Sequence, residues 1–115
     1  MARLTITLTD RAPVSVDKDT WPIIASAKDW DNQYECQANR TWKLVVRQCE
    51  TYGDGRCLVY GVHTSQFQSE PDLRGGELVE DIADVPAAIK RVAEYLEFQG
   101  RLADDCIADL PAEAI

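Results

Sequence analysis

Two alternating segments around a Gly-Asp-Gly turn constrain the fold of this chain more than any other feature. Every second residue is apolar in both segments: Trp42, Leu44 and Val46 before the turn, and Leu58, Tyr60 and Val62 after it. A period of two residues is typical of a strand, and a short glycine-containing connection is typical of an antiparallel hairpin. The sequence therefore predicts a hairpin over residues 41–64.

The register of this hairpin decides what the cysteines beside its turn can do. If the alternating apolar residues share one side of the sheet, Val46 pairs with Tyr60 and Cys49 lies opposite Cys57. Directly opposed residues have Cα atoms about 4.5–5.5 Å apart, a separation that a disulfide accepts. A shift of one residue would abolish this bridge, and reduced thiols near a hairpin end are the simpler expectation.

The four cysteines and the single histidine show no other signature. Structural zinc sites usually take ligands from Cys-x-x-Cys pairs, and the chain contains none. A Cys57–His63 nucleophile pair fails as well, because six residues along a strand separate the two by about 20 Å. We therefore expect no catalytic residue, no metal site and no cofactor.

The segment before the hairpin contains a strand pattern followed by a helix pattern. Residues 3–9 place leucine and isoleucine at every second position, which predicts a half-buried strand, and residues 14–16 can extend the sheet. Two aspartates then precede apolar residues at helical spacing, which predicts a short helix from about residue 19 or 20 to Lys28. Residues 29–39 fit either a loop or a strand.

The segment after the hairpin contains a connection and a helical region. Residues 65–81 include a proline and a Gly-Gly pair with little periodicity, which predicts a long connecting loop. Apolar residues then recur at helical spacing over 84–110, and Gly100 leaves open either one long helix or two. Residues 111–115 are expected to fray.

These patterns predict an α+β fold. With 115 residues and 45% hydrophobic residues, the chain is expected to form a single domain over 1–115 with an ordinary core. The predicted architecture is an antiparallel sheet of three or four strands with a short helix and a long C-terminal helix packed on one face. No apolar run approaches the roughly 20 residues that span a bilayer, and the N-terminus lacks a secretion pattern, so a cytoplasmic location is expected.

The negative charge is concentrated at one end of the chain. Residues 1–69 hold eight acidic and eight basic residues, whereas residues 70–115 hold twelve acidic and four basic ones, which accounts for the whole net charge of −8. A surface of this sign repels nucleic acid and anionic membranes and attracts basic protein surfaces. We therefore expect a basic, nucleic-acid-handling protein as the partner, without direct contact to nucleic acid or membrane.

Seven carboxylates and two aromatic residues form the predicted partner-binding site. The carboxylates lie on the predicted C-terminal helix or just before it, and the aromatic residues fall in the least regular segments, where exposure is expected. These residues are Glu77, Glu80, Asp81, Glu94, Glu97, Asp104, Asp105, Trp30 and Phe67. A solvated face that only keeps the protein soluble is the simpler alternative.

The predicted hairpin also carries a basic side. Its members are Lys43, Arg47, Arg56 and His63. Basic side chains grouped in this way attract an anion. Because a strongly acidic helix is predicted elsewhere, we interpret this side as a surface partly covered by the acidic C-terminal region or as a second contact patch.

Several segments resemble a group of small acidic accessory proteins carried on bacterial conjugative elements and plasmids. The segments are NRTWKLVVRQ, GRCLVYGV, DLRGGEL, PAAIKRVAEYLEF and RLADDCIADLPAE, and the resemblance covers roughly residues 3–113. It implies a bacterial cytoplasmic setting and cargo of mobile DNA, but no functional residue, because the group has no established activity. Such cargo is similar in kind to anti-restriction and anti-CRISPR inhibitors, which are often small, acidic and free of cofactors.

The leading functional hypothesis is a non-enzymatic acidic protein-binding module or inhibitor that masks a basic nucleic-acid-binding surface. Ordered carboxylates would imitate phosphates on such a surface. The alternative is a structural or regulatory homodimer built on the C-terminal helix, whose apolar stripe would be shared between core and interface. That stripe comprises Ile89, Val92, Leu96 and Ile107.

Overall fold

The computed structural model describes residues 3–9, 12–31, 40–50, 55–65 and 73–111. These residues form six strands, two α-helices and a short 3-10 turn, so the α+β class predicted from the sequence is confirmed. In chain order the elements are β1 (Arg3–Ile6), β2 (Val14–Asp17), β3 (Ile23–Asp31), β4 (Arg40–Gln48), β5 (Cys57–Ser65), β6 (Leu73–Val79), the 3-10 turn (Ile82–Asp84), α1 (Val85–Tyr95) and α2 (Gly100–Ala108).

A four-stranded antiparallel sheet in the order β3-β4-β5-β6 forms the central layer. On one side, termed the helical face, α1 packs on β5 and β6, and α2 packs on β3 and β4. On the other side, termed the outer face, the β1–β2 hairpin covers part of the sheet. This hairpin joins the edge of the sheet where Leu8 pairs with Gly76 of β6.

The two middle strands contribute side chains to two separate cores. On the helical face, Leu44, Val46 and Val59 have no exposed surface and pack with the helices. On the outer face, Val45 and Tyr60 are 2% and 4% exposed and pack with the β1–β2 hairpin. Full burial of such a side chain contributes about 1.5–3 kcal/mol, so both faces of β4 and β5 stabilise the fold.

The hairpin of β4 and β5 forms as predicted, but its predicted register is wrong by one residue. Val46 lies opposite Val59, and Gln48 lies opposite Cys57. Cys57 therefore faces the helices, whereas Cys49 packs in the outer core, and both are free thiols. The prediction fails because apolar side chains on both faces of both strands leave the register undetermined by alternation alone.

The predicted short helix before the hairpin is wrong, because Ile23–Asp31 form β3. Ala25 is buried on the helical face, and a bulge near Ile24 shifts the pairing with β4. The bulge inserts one residue into the alternation, so the apolar positions also fit a helical spacing. Residues 32–39 lie outside the described part of the chain.

The long loop predicted over 65–81 is also wrong in its second half, because Leu73–Val79 form β6. Two glycines hide this strand from the alternation pattern, and the packing requires one of them. A Cβ atom on Gly76 would lie 2.8 Å from Cβ of Tyr60 and would overlap the carbonyl oxygen of Val59. The backbone of β6 approaches β5 this closely only because glycine occupies the position.

The C-terminal helical region consists of two helices rather than one. The first ends in a Schellman motif: the Phe98 amide donates to the Ala93 carbonyl at 2.7 Å, and the Glu97 amide donates to the Glu94 carbonyl at 3.1 Å. The chain turns there, and α2 begins at Gly100. Both helices bury their apolar sides against the sheet, which leaves their charged sides outward.

Candidate functional site

Four of the predicted carboxylates lie exposed on the helical layer, and we term them the acidic face: Glu94, Glu97, Asp104 and Asp105. Glu94 and Asp104 line one shallow groove of about 320 Å³ between α1 and α2, beside the half-buried ring of Phe98. None of the four carboxylates forms an ion pair with a described residue. Among the described residues, no ion pair therefore neutralises these carboxylates, although the exposed Lys90 lines the same groove.

Glu97 occupies a backbone position that usually holds glycine. Its φ of 60° lies in the left-handed region, where a side chain costs about 1–2 kcal/mol. The side chain lines a small pocket of about 130 Å³ with Asp29 and Trp42. Arg101 donates a hydrogen bond of 2.6 Å to Asp29, so this arginine neutralises the carboxylate beside Glu97 rather than Glu97 itself.

Three further predicted carboxylates lie apart from the acidic face. Glu77 on β6 accepts hydrogen bonds of 3.0 Å from Nε and Nη2 of Arg91, which raises the pKa of Arg91 and ties β6 to α1. Asp81 accepts a hydrogen bond of 3.0 Å from the Ala83 amide and caps the 3-10 turn. Glu80 is exposed beside it. The predicted site is therefore divided, and Glu77 and Asp81 have structural contacts of their own.

The side chains of the two aromatic residues in the predicted partner-binding site lie outside the described part of the chain. The backbone of Trp30 is part of β3, but its side chain lies outside the described residues, as does the whole of Phe67. The exposed aromatic residue of α1 is Tyr95, which is 62% exposed, but its ring lies near Gly75 of β6 rather than in the groove that Glu94 and Asp104 line. Its place just off the apolar stripe of α1 is the sequence signal for this exposure.

His63 is part of the packing of the helical face. It is 9% exposed, its ring stacks on Trp42 with centroids 5.1 Å apart, and its Nδ1 lies 3.0 Å from the Thr41 carbonyl oxygen. A buried, stacked imidazole has little access to a substrate. Within the described residues, no three His, Cys, Asp or Glu side chains come together as metal ligands.

Two buried thiols of the helical-face core are poor nucleophiles. Burial raises the pKa of Cys57 to about 11, and the negative charge of Asp81 adds to the shift. Burial likewise raises the pKa of Cys106 to about 11, with a contribution from Asp109. Both groups therefore hold their protons at neutral pH, and a protonated thiol is a weak nucleophile and a weak metal ligand.

The outer face carries a cleft of the opposite charge. It lies between the β1–β2 hairpin and the uncovered part of the central sheet, and its volume is about 570 Å³. Six basic side chains line it, and no carboxylate of the described residues does. We term it the basic cleft; its basic residues are Arg3, Lys18, Lys28, Lys43, Arg47 and Arg74.

The predicted basic side of the hairpin is thus divided between the two faces. Lys43 and Arg47 line the basic cleft, whereas His63 lies on the helical face and Arg56 lies 5.8 Å from the ring centroid of Trp21. The expectation that the acidic C-terminal region covers this side is wrong for the cleft, because α1 and α2 pack on the opposite face. No local pattern joins the other four cleft residues, which come from β1, β3, β6 and the turn after β2.

Comparison with known proteins gives no relative from which a function could be inferred, so the functional proposal depends on the geometry of the two faces. No family model, no curated protein and no solved structure matches the chain at a significant level. Among the described helices, neither α1 nor α2 has the length and apolarity needed to cross a membrane.

Proposed function

We propose that the protein is a non-enzymatic binding module of the bacterial cytoplasm whose acidic face docks on a basic, nucleic-acid-binding surface of another protein. It acts there as an inhibitor, because carboxylates that occupy the place of phosphates exclude the nucleic acid. The resemblance to accessory proteins of mobile elements favours an anti-defence role, of the kind that anti-CRISPR and anti-restriction proteins have.

The separation of charge across the sheet carries this proposal. The acidic face lies on the helical layer and the basic cleft lies on the outer face, so the two do not neutralise each other. Apart from Lys90, the cations of α1 and α2 are occupied: Arg91 pairs with Glu77, and Arg101 pairs with Asp29. A basic partner therefore meets carboxylates whose charge is still available.

The packing of the helices fixes where these carboxylates lie. Ile89 and Val92 of α1 and Leu102 of α2 are at most 3% exposed, and the Schellman motif fixes the turn that carries Glu97. Groups held on anchored helices lose little conformational freedom when a partner binds. The groove beside Phe98 adds apolar surface to the charged contact.

A charge-reversal experiment tests the proposal. The tagged protein is used to isolate its basic partner from a host lysate, and affinities for the purified partner are then measured at low and high salt. The variant Glu94→Lys with Asp104→Lys should bind at least about ten-fold more weakly and with a shallower salt dependence, because two attractions become repulsions. The control Asp19→Lys with Glu50→Lys, at exposed sites off the acidic face, should stay within about two-fold.

Two results would contradict the proposal. The first is an unchanged affinity of the folded Glu94→Lys, Asp104→Lys variant, since the carboxylates would then not form the interface. The second is a ternary complex in which the partner holds nucleic acid and this protein together, since masking requires that the two compete.

The homodimer alternative depends on an apolar stripe that the fold has already used. Ile89 and Val92 are fully buried and Leu96 is 9% exposed within the chain, so these three side chains are not available to a second copy, and only Ile107 of the stripe is half-buried. We therefore expect a monomer in sedimentation velocity at micromolar concentration. A stable dimer that persists on dilution would favour the alternative instead.

A further inference from the structure

A row of positive charge crosses the central sheet inside the basic cleft. Lys28 lies directly opposite Lys43, Lys43 lies opposite Val62, and Val62 lies opposite Arg74. Neighbouring strands are about 4.8 Å apart, so three cations fall on one line within about 15 Å. Like charges directly opposite each other destabilise a sheet. A bound anion would relieve this repulsion.

Four cations of the cleft have no partner among the described residues. The side chains of Lys18, Lys28, Lys43 and Arg74 form no hydrogen bond or ion pair with any described residue. The described ion pairs all belong to the helical layer and the strands beneath it. The charge of the cleft is therefore open to a ligand.

Two arginines at the cleft are held in place before any ligand arrives. Arg47 donates from Nε to the Tyr60 hydroxyl at 3.0 Å and from Nη1 to the Trp21 carbonyl at 2.9 Å. Arg3 donates to the hydroxyl and the carbonyl oxygen of Ser15 at 3.3 and 3.2 Å. Each guanidinium keeps a third nitrogen outside these bonds. Donors oriented in advance lower the entropic cost of binding.

The lining of the cleft is apolar as well as charged. Ile23, which is 52% exposed, Leu4 and Val62 contribute apolar surface, and Val45 and Tyr60 line the cleft from the outer core. An apolar lining with a few convergent polar groups is typical of sites for small molecules. The volume of about 570 Å³ lies within the roughly 300–1,000 Å³ of such sites.

The placement of the charges favours a compact ligand over a nucleic-acid strand. The acidic face lies on the other side of the sheet, so its carboxylates are farther from a ligand in the cleft than the six cations that line it. A ligand inside the cleft therefore experiences mainly the six cations. A nucleic-acid strand longer than the cleft would extend past these cations, whereas a compact ligand lies entirely among them.

We propose that the basic cleft binds a small organic phosphate, namely a molecule in which two or more phosphate groups are joined to an apolar ring, as in a nucleoside triphosphate. The phosphates lie along the row of Lys28, Lys43 and Arg74, and the ring lies against Ile23. This site is separate from the acidic face, so it adds a ligand-binding function to the proposed protein-binding one.

The experiment uses ATP, inorganic triphosphate and adenosine as calorimetric probes of the full chain, with divalent metals chelated. ATP should bind saturably with one-to-one stoichiometry, triphosphate more weakly, and adenosine not measurably. Lys43→Gln and Arg74→Gln should each weaken ATP binding by at least about ten-fold, because each removes a charge-assisted contact to phosphate. Lys90→Gln, an equal change of charge on the helical layer, should leave the affinity within about two-fold.

Melting curves separate loss of binding from loss of folding. Because Lys43 faces Lys28, Lys43→Gln should melt at or above the wild-type temperature while it loses ATP binding. Absence of binding by both ATP and triphosphate, or equal losses in Lys43→Gln and Lys90→Gln, would overturn the proposal. Tighter binding of a thymidine oligonucleotide than of ATP, abolished by Lys43→Gln, would overturn it too and assign the cleft to a nucleic-acid strand.

Discussion

The two faces of the central sheet are built on the same strands but expose opposite chemistry. On the helical face, two amphipathic helices cover the strands, and the outer sides of these helices carry the acidic face. On the outer face, one hairpin covers only part of the sheet, and the uncovered part forms the basic cleft. A fully covered face can present functional groups only through its covering helices, whereas a partly covered face presents its own strands in a concave site.

This comparison also explains how an acidic protein keeps a basic site. Half of its twelve lysines and arginines line the basic cleft, while the carboxylates of the acidic face lie on the other side of the sheet. A molecule in contact with one surface is nearer to its charges than to those of the other, so the nearer surface dominates the interaction. Net charge alone would therefore describe neither surface.

The largest expected effect comes from a change that forces β6 away from β5 within the central sheet. Gly76→Ala should lower the free energy of unfolding by about 3 kcal/mol or more, because the new Cβ would overlap the Val59 carbonyl, and backbone cannot move aside cheaply. Gly61→Ala on the helical face is the matched control. Its Cβ would meet the flexible ends of Leu96 and Phe98 at 2.6 and 2.9 Å, so about 1–2 kcal/mol is expected.

Urea unfolding of both glycine variants checks this difference between the faces. In the Gly76→Ala protein, amide exchange should also accelerate at Thr9, whose amide donates to the Gly76 carbonyl at 3.0 Å. Equal losses of stability in the two variants would contradict this reasoning. They would show that the backbone contact at Gly76 is relieved as easily as the side-chain contacts at Gly61.

A smaller effect, of up to about 2 kcal/mol for each thiol, is expected from pH. Burial raises the pKa of Cys57 and Cys106 to about 11, against about 9 for an exposed thiol, so the unfolded chain loses these protons first. Between about pH 9 and pH 11 the unfolded state binds fewer protons, and stability falls as pH rises. Below about pH 9 both thiols are protonated in the folded and the unfolded chain, so their contribution to the free energy of unfolding is fully present.

Cysteine variants sharpen the pH result because the thiols belong to different cores. Replacing Cys57 and Cys106 by alanine should flatten the loss of stability between about pH 9 and pH 11, whereas Cys49→Ala in the outer core should retain it. Chemical unfolding at several pH values supplies the slopes. A slope that persists in the Cys57→Ala, Cys106→Ala protein would mean that other groups cause it.

The smallest expected effect is a gain of about 1 kcal/mol from Glu97→Gly. Glycine adopts the left-handed φ of this position without strain, so the Schellman motif should become more stable. Glu97→Ala keeps a Cβ and should show no comparable gain in urea unfolding. The glycine variant should bind the basic partner more weakly and ATP unchanged, which tests the independence of the two faces. A loss of stability on Glu97→Gly would instead assign the side chain a structural role.

Several elements could be predicted because their signals are local. The alternation of Leu4, Ile6 and Leu8 indicates the first strand, and the last two pack in the outer core. The helical spacing over 84–110 identifies the region of α1 and α2 without deciding whether it forms one helix or two. Glu94 and Asp104 are polar positions on amphipathic helices, and their exposure follows from that pattern.

Other elements were beyond local reasoning for specific physical reasons. The bulge near Ile24 gives the apolar residues of β3 the spacing of a helix. Glycine is typical of turns, so Gly76 hides β6 in the sequence, although its real cause is the close approach of β6 to β5. Tyr60 could be assigned to either face, because β4 and β5 are apolar on both. Placing Tyr60 and Val46 on one face shifted the register by one residue, which also paired Cys49 with Cys57.

The sequence by itself determined the α+β class, the strands of the central hairpin and the excess of negative charge in residues 70–115, because these depend on local periodicity and composition. Only the tertiary structure decided the register, the assignment of side chains to the two faces and the existence of the basic cleft. The physical reason is that strands buried on both sides carry no preferred face in their sequence. Arg3 and Arg74, far apart along the chain, line one cleft only once the β1–β2 hairpin packs on the sheet.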